Sequence, residues 1–280
     1  MTNSRGHRPA FIAATSYRLA FFRGSHRLTR MIAAQLYTLR EFTKTPADIA
    51  KTLARVKKIG YDGVQCSALG PIEPTELAKI LHNEGLTCVA THVKLDDLEK
   101  EPQRIIDEHK LWGCSLTAIG GFFPKEADAQ TWIDFADRYN AIVQRFAGSG
   151  LAIGYHNHSH ELAHFDGKPA LQILMEHFDN SVWMEIDTYW IAHGGGDPAA
   201  WIEKCKGRIP AVHLKDMAIK LDRTQYMAEV GEGNLNWPAV LSACKSAGAL
   251  HLIVEQDTVY RDHFESLEIS LKHLKSWGAA

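Results

Sequence analysis

The feature of this sequence that most restricts its fold is a regular alternation of short apolar runs with longer segments of helical periodicity. A first apolar run at residues 31–37 is followed, from Pro46 to Gly60, by apolar residues spaced for one face of a helix. The two patterns recur to the end of the chain and make eight strand-helix units. Because a parallel (β/α)8 barrel needs eight such units in roughly 250 residues, the pattern predicts a single-domain TIM barrel over residues 31–280.

Periodicity and glycines place the boundaries of these units. Strands are predicted at residues 31–37, 62–68, 86–93, 115–121, 182–187, 209–215 and 250–256, with one more beginning at Leu151. Helices are predicted at residues 46–60, 73–85, 96–113, 126–148, 168–178, 197–206, 237–247 and 262–276. Five helices are expected to stop at a glycine just before the next strand: Gly60, Gly85, Gly113, Gly150 and Gly248. A doubly wound open sheet is the competing architecture, but no glycine-rich dinucleotide or phosphate-binding motif follows the first strand.

Charge is distributed unevenly between the start of the chain and the predicted barrel. Residues 1–30 hold six of the 31 lysines and arginines and no acid, so residues 31–280 carry 25 basic against 33 acidic side chains, a net charge of −8. An acidic barrel disfavours nucleic-acid binding. The basic leader is similar to an organelle transit peptide, but the favoured interpretation is a disordered or over-called extension before a natural start at Met31.

Cysteine usage and hydropathy bear on the compartment. The five cysteines are scattered and form no C-x-x-C pair, which indicates reduced core residues in a cytoplasmic protein. No run of 18 apolar residues is present, so we expect no membrane segment.

Four of the predicted strands end in side chains that bind metals or move protons. The segment 151–161, LAIGYHNHSHE, contains His156, His158 and Glu161. The other three endings contain Asp187, then His213 with Lys215 and Asp216, then Glu255 with Asp257. Active sites of TIM barrels lie at the carboxyl ends of the strands. We therefore expect His156, Asp187, His213 and Glu255 to converge there on a divalent ion, with His158, Glu161, Lys215 and Glu255 as candidate bases.

Six short motifs identify a resemblance that covers nearly all of the predicted barrel. They are QLYTLR at 35–40, YHNHSHEL at 155–162, EIDTYW at 185–190, HLKDM at 213–217, GEGNLNW at 231–237 and IVEQD at 253–257. With them the chain resembles the sugar phosphate isomerase/epimerase superfamily of xylose-isomerase-like TIM barrels. The resemblance implies one divalent ion (Mn, Co, Zn, Fe or Mg), with Asp187, His213 and Glu255 at three of the family's four ligand positions. His156 stands where the family usually has glutamate, and the alternative fourth ligand is Glu161.

The resemblance implies a metal-dependent isomerase or epimerase that acts on a sugar, keto-sugar or inosose through an enediolate. The alternative is a lyase or dehydratase on a 3-keto-glycoside or inosose, because the family's ketose 3-epimerases use paired glutamates and His156 replaces one of them. An endonuclease IV-like repair enzyme and a non-catalytic sugar-binding barrel are remote alternatives. Substrate contacts are expected from a further set of polar residues: Gln35, His92, Asp216, Glu232 and Asp257. The partner is a small sugar or polyol, and a homo-oligomer is left open.

Overall fold

Eight parallel strands close into one barrel in the computed structural model, which describes residues 30–279. The strands are β1 (Met31–Gln35), β2 (Gly63–Cys66), β3 (Thr87–His92), β4 (Leu116–Ile119), β5 (Ala152–His156), β6 (Trp183–Asp187), β7 (Ala211–Leu214) and β8 (His251–Val254). Each strand pairs with its neighbours in chain order, and β8 pairs with β1. The predicted (β/α)8 barrel is confirmed.

Helices surround the barrel between successive strands. They are α1 (Pro46–Ile59), α2 (Pro74–Glu84), α3 (Leu95–Lys100), α4 (Pro102–Trp112), α5 (Ala129–Gln144), α6 (Ala170–His177), α7 (Thr188–His193), α8 (Pro198–Lys204), α9 (Trp237–Ala247) and α10 (His263–Ser276). Helix α1 shows how its ends are set. The Thr45 side chain accepts a hydrogen bond from the backbone N–H of Asp48, and Gly60 closes the helix with a left-handed φ of 111°.

Two predictions about where helices end are wrong. The helix predicted over residues 96–113 is divided into α3 and α4 at Glu101, because the ring of Pro102 disfavours a helical backbone at the preceding residue. Gly150 does not close a helix, since α5 already ends at Gln144. The other four predicted glycine stops are confirmed.

Several short elements at the carboxyl end of the barrel were not predicted. A 3-10 helix at Leu36–Phe42 shortens the first strand, and α7 begins directly after β6. An antiparallel hairpin, Asp216–Ile219 with Gln225–Ala228, follows β7. A second hairpin pairs His164–Phe165 with Lys168–Pro169. These elements build the rim around the strand ends.

The barrel interior changes from apolar to polar along its axis. A small cluster that includes Ala33, Ala118, Trp183 and Ile253 fills the lower part. Gly154 makes room for the Trp183 indole, because a Cβ there would lie 2.3 Å from ring atom Cε2. Above this layer, the inward side chains at the carboxyl ends of the strands are polar and buried. The apolar layer therefore supports a polar layer that opens at the rim.

The expectation that residues 1–30 form a disordered or over-called leader falls almost wholly outside the described residues. Arg30 is described, and its guanidinium donates to the backbone oxygens of Ala249 and Ala279. In residues 30–279, no helix is long and apolar enough to span a membrane.

Candidate active site

Side chains from four consecutive strands meet at the carboxyl end of the barrel. His156 ends β5, Asp187 ends β6, His213 lies in β7 and Glu255 directly follows β8. Strand pairing sets Asp187 directly beside His213. One ligand atom from each of the four lies within 4.8 Å of the others, and all four side chains are buried. The structure thus brings together the four residues that the strand endings single out.

Several polar atoms of this cluster are buried and make no hydrogen bond of acceptable geometry, even where an ion-pair partner lies close by. They are both ring nitrogens of His156, Oδ2 of Asp187, Nδ1 of His213 and Oε2 of Glu255. Leaving a buried polar atom unpaired costs about 1–3 kcal/mol, so such atoms are rare in native proteins. A cation bound among them would satisfy nitrogen lone pairs and carboxylate oxygens together. The donor set therefore fits a divalent ion with mixed nitrogen and oxygen ligands.

Lys215 brings a positive charge to the cluster. Its Nζ lies 2.9 Å from Oδ2 of Asp187 and 2.8 Å from Oε2 of Glu255, and it donates a hydrogen bond of 3.0 Å to Oδ2 of Asp257. Only the contact with Asp257 has hydrogen-bond geometry. Burial disfavours the ammonium form, but attraction by the three carboxylates outweighs burial and raises the pKa of Lys215. A charged ammonium cannot accept a proton, so the interpretation of Lys215 as a base does not fit its surroundings.

His213 is held between two carboxylates. Its Nδ1 lies 2.9 Å from Oε2 of Glu255, and its Nε2 lies 3.3 Å from Oε1 of Glu185. Burial disfavours the imidazolium form, but Glu185 and Glu255 outweigh burial and raise the pKa of His213. A proton and a divalent ion would therefore compete for the Nδ1 lone pair.

A cavity of about 440 Å³ opens beside the cluster. Its lining includes five ionisable side chains: His92, His156, His158, Glu255 and Asp257. It also includes four aromatic or apolar side chains: Tyr37, Phe123, Trp190 and Met227. A pocket with both kinds of lining suits a sugar, which presents hydroxyl groups at its edges and C–H groups on its faces.

His158 and Glu161 follow β5 but occupy different environments. His158 lines the cavity, between the rings of Phe123 and Trp190, and its Nδ1 has no partner. Burial, with His156 nearby, lowers the pKa of His158 to about 2, so its imidazole is neutral. Glu161 instead accepts hydrogen bonds from the Tyr155 hydroxyl at 2.7 Å and from the His158 backbone N–H at 2.9 Å. Of the two alternatives for the fourth ligand, the structure places His156 in the cluster and not Glu161.

Three of the expected substrate contacts do not line the cavity. Gln35 is buried at the end of β1, where its Oε1 accepts the Tyr37 N–H. The Asp216 carboxylate faces the segment 229–237 and accepts several of its N–H groups. Glu232 lies on the rim and pairs with Arg261 at 2.9 Å. The other two expected contacts, His92 and Asp257, do line the cavity.

Some residues at the site were not singled out from the sequence. Trp190 belongs to the EIDTYW motif, and its indole N–H is buried without a partner. Phe123 and Tyr37 stand on the cavity wall, and no spacing in the sequence marks them. Glu185 shares a strand face with Asp187, and this parity was the signal that could have identified it.

The profile of the family described as Xylose isomerase-like TIM barrel matches residues 53–277, which is most of the chain. The chain belongs to this family. The match confirms the superfamily that the six sequence motifs resemble.

Individual relatives include both isomerase-type proteins and dehydratases. An inosose dehydratase of Clostridium beijerinckii is 25% identical over 227 residues, with 73% of this chain and 71% of that protein covered. A sugar phosphate isomerase/epimerase structure from Parabacteroides distasonis aligns with a TM-score of 0.75 and 22% identity, covering 91% of this chain and 97% of that one. A probable 3-DHS dehydratase from Bacillus anthracis aligns with a TM-score of 0.66 and 14% identity, covering 88% and 98%. The two structures, both below 25% identity, show the shared fold.

Proposed function

We propose that this chain is a divalent-metal-dependent enzyme of the sugar isomerase/epimerase type that removes an α-proton from a sugar, keto-sugar or inosose. The observation that carries the proposal is the cluster of His156, Asp187, His213 and Glu255, whose buried ligand atoms converge at the edge of a substrate-sized cavity without hydrogen bonds of acceptable geometry. When bound there, a divalent ion would polarise a substrate carbonyl and stabilise the negative charge of an enediolate.

The protein's own groups define which proton transfers are available. His158 is unligated and presents a free Nδ1 to the cavity, so it is the candidate to accept the α-proton. Burial lowers its pKa, which weakens it as a base, and the negative charge that develops on the substrate would raise that pKa during the transfer. Glu255 also lines the cavity and could share this role as a ligating carboxylate. Glu161, by contrast, is occupied by Tyr155 and the His158 backbone.

This arrangement offers no pair of free glutamates on opposite sides of a substrate. His156, at the position of one such glutamate, is a cluster member, and a ligating nitrogen has no lone pair left for a proton. Proton transfer to an adjacent carbon, or loss of a β-leaving group, therefore fits the site better than inversion of one carbon.

Elimination is the second candidate, and the relatives favour it. An inosose dehydratase and a probable 3-DHS dehydratase are among the proteins similar to this chain. In such a reaction the α-proton would be taken as above, and the C–O bond at the neighbouring carbon would break with its electron pair going to oxygen. That oxygen would take up a proton and leave as water or an alcohol. Lys215 is a buried cation beside Asp187, Glu255 and Asp257. In isomerisation and in elimination alike, its charge would help to stabilise the negative charge of the enediolate.

Proton NMR in D2O tests the proposal with a panel of inososes, ketoses and 3-keto-glycosides. Spectra are recorded with the protein supplied in turn with Mg²⁺, Zn²⁺, Mn²⁺ or Co²⁺. They are recorded again after the ion is removed. We expect metal-dependent deuterium exchange beside one carbonyl, with an isomerised or dehydrated product. If no compound of the panel exchanges deuterium, or if a sugar binds without turnover, the result would instead support a non-catalytic sugar-binding barrel.

A further inference from the structure

A second buried polar cluster lies just below the first, with the carboxylate of Glu185 at its centre. Gln65 Nε2 donates to Glu185 Oε1 at 3.0 Å, and His92 Nε2 lies 2.5 Å from Oε2. His213 Nε2 lies 3.3 Å from Oε1 and 2.6 Å from Oε1 of Gln65. The contacting atoms of this group are satisfied by one another, unlike those of the first cluster. It is therefore a hydrogen-bond network and not a second ion site.

The network determines which ring nitrogen of His213 carries a proton. An ionised carboxylate can only accept hydrogen bonds, so Gln65 must present its NH2 group to Glu185. The Gln65 carbonyl oxygen then points at His213 Nε2, which must be the donor across the 2.6 Å contact. In neutral His213 this leaves a bare lone pair on Nδ1, 2.9 Å from Oε2 of Glu255 inside the first cluster. Two acceptors at this distance repel each other, so the pair requires a cation between them, either a proton or the divalent ion.

The same carboxylate determines the state of His92. Its Nε2 must carry a proton in order to donate to Glu185 Oε2. The opposite nitrogen, Nδ1, lies on the side of Gly120, where an added Cβ would stand 3.8 Å from it. Both His92 and Gly120 line the cavity. A neutral His92 therefore turns a hydrogen-bond acceptor towards the position of a substrate.

We propose that Glu185 is a positioning residue that fixes the Nε2–H tautomer of both His213 and His92. His213 then presents Nδ1 to the divalent ion, and His92 presents Nδ1 to a hydroxyl group of the substrate. The inference rests on the proposed function for the identity of those two ligands. Hydrogen-bond partners of metal-binding histidines typically account for 10- to 100-fold in metal affinity.

Long-range proton–nitrogen NMR of the full chain labelled with ¹⁵N on histidine reads the tautomers directly. Spectra are recorded at alkaline pH without metal and again with Zn²⁺ added. We expect His92 to carry its proton on Nε2 in both states, and His213 to carry a proton on Nε2 and none on Nδ1 once Zn²⁺ is bound. A proton on Nδ1 of neutral His92, or an unprotonated Nε2 of His213 in the Zn²⁺-bound wild type, would overturn the proposal.

Two variants separate the branches of the network. In Glu185→Gln, one amide oxygen replaces the two carboxylate oxygens that accept from Gln65 and from His92. The new NH2 group then opposes either the His92 N–H or the Gln65 NH2 group, which in turn orients His213. We therefore expect mixed tautomers. Gln65→Met cuts only the branch to His213 and should leave His92 unchanged. Zn²⁺ affinity measured by calorimetry should fall about 10- to 100-fold in both variants. If Glu185→Gln does not fold, the wild-type spectra and the Gln65→Met variant still test the proposal.

Glu229→Gln is the matched control, because Glu229 is also buried but contacts Ser266 and Arg261. It should keep both tautomers and the Zn²⁺ affinity of the wild type. Wild-type affinity in Glu185→Gln and Gln65→Met would overturn the inference and leave the proposed function standing. Failure of the wild type to bind any divalent ion would overturn the proposed function and the ion half of the inference, while the His92 tautomer would still report on Glu185.

Discussion

His156 and His158 are separated by one residue, yet their surroundings indicate different roles for them. His156 sits in the four-residue cluster, whereas His158 faces the cavity with Nδ1 free. A general base contributes about 10²- to 10⁴-fold to turnover. We therefore expect His158→Asn to lower turnover by about 10²-fold or more while the metal content stays unchanged. His160→Asn, which alters a neighbouring imidazole that contacts the Phe122 carbonyl, is the control and should stay active. Full activity of His158→Asn would contradict this role.

Among the four proposed ligands, Asp187 is the one whose substitution should lower the metal content most. Its carboxylate is fully buried between His156, His213 and Lys215. In Asp187→Asn one negative charge disappears from the centre of the cluster, so we expect metal content to fall to background in elemental analysis. Asp257→Asn removes a carboxylate that contacts Lys215 but stands outside the cluster, and it should retain the ion. Retention of the ion by Asp187→Asn would remove this residue from the ligand set.

Residue positions along a strand could be predicted, but side-chain partners could not. Parity alone places Asp187 and His213 on the inward face, because alternate residues of a strand share a side. The sequence cannot show that the Asp216 carboxylate turns to the segment 229–237, since those N–H groups are brought near only by the fold. Nor can the sequence show that the Glu161 carboxylate accepts a hydrogen bond from the Tyr155 hydroxyl.

The segment 229–237 depends on Asp216 for its conformation. The carboxylate accepts N–H groups of Gly231, Gly233 and Leu235 and the indole N–H of Trp237. An asparagine would set an NH2 group against some of these donors, at about 1–3 kcal/mol for each unsatisfied group. We expect Asp216→Asn to lower the free energy of unfolding by a similar amount and to speed amide hydrogen exchange in this segment. Unchanged exchange would show that the segment is held by other contacts.

Helix α4 carries a buried histidine, His109, and strand β8 carries a partly buried one, His251, and both make stability depend on pH. Burial lowers the pKa of His109 and of His251 from 6.5 to about 4. The unfolded chain therefore binds more protons than the folded chain between these values, and the free energy of unfolding should decrease as pH falls from about 6.5 to about 4. At about 1.4 kcal/mol per pKa unit, each histidine contributes up to roughly 3 kcal/mol.

Urea denaturation across that pH window measures the effect. His109→Gln should be less stable at neutral pH, because it loses the ring contacts with Thr91 and the Ile105 carbonyl. Its stability should nevertheless change less steeply with pH than that of the wild type. Equal slopes for the two proteins would mean that His109 is not protonated on unfolding.

Elements with strong periodicity were predicted well, and those set by one local residue were not. Helix α9 has the predicted bounds, because its apolar spacing and Gly248 agree. Helix α7 was missed because it follows β6 without a break in the apolar pattern. The hairpin of residues 216–228 was missed because its register depends on pairing between strands, which no short-range pattern records.

The closed barrel brings together carboxylates and histidines that are far apart in sequence. The carboxyl ends of β5 to β8 meet at one rim, and this topology follows from the eight repeated units. Acidic side chains outnumber basic ones across residues 31–280, which suits a cation and a neutral sugar better than a nucleic acid. Family membership agrees with this arrangement.

We propose that His156, Asp187, His213 and Glu255, which lie close enough to share an ion, hold one divalent ion. Elemental analysis of the full chain, purified without chelator, tests it most directly, together with the melting temperature before and after addition of Mn²⁺, Co²⁺ or Zn²⁺. We predict about one ion per chain, removed by chelator and restored with a rise in melting temperature. Protein that contains no metal and whose melting temperature does not rise with any of the three ions would contradict the claim.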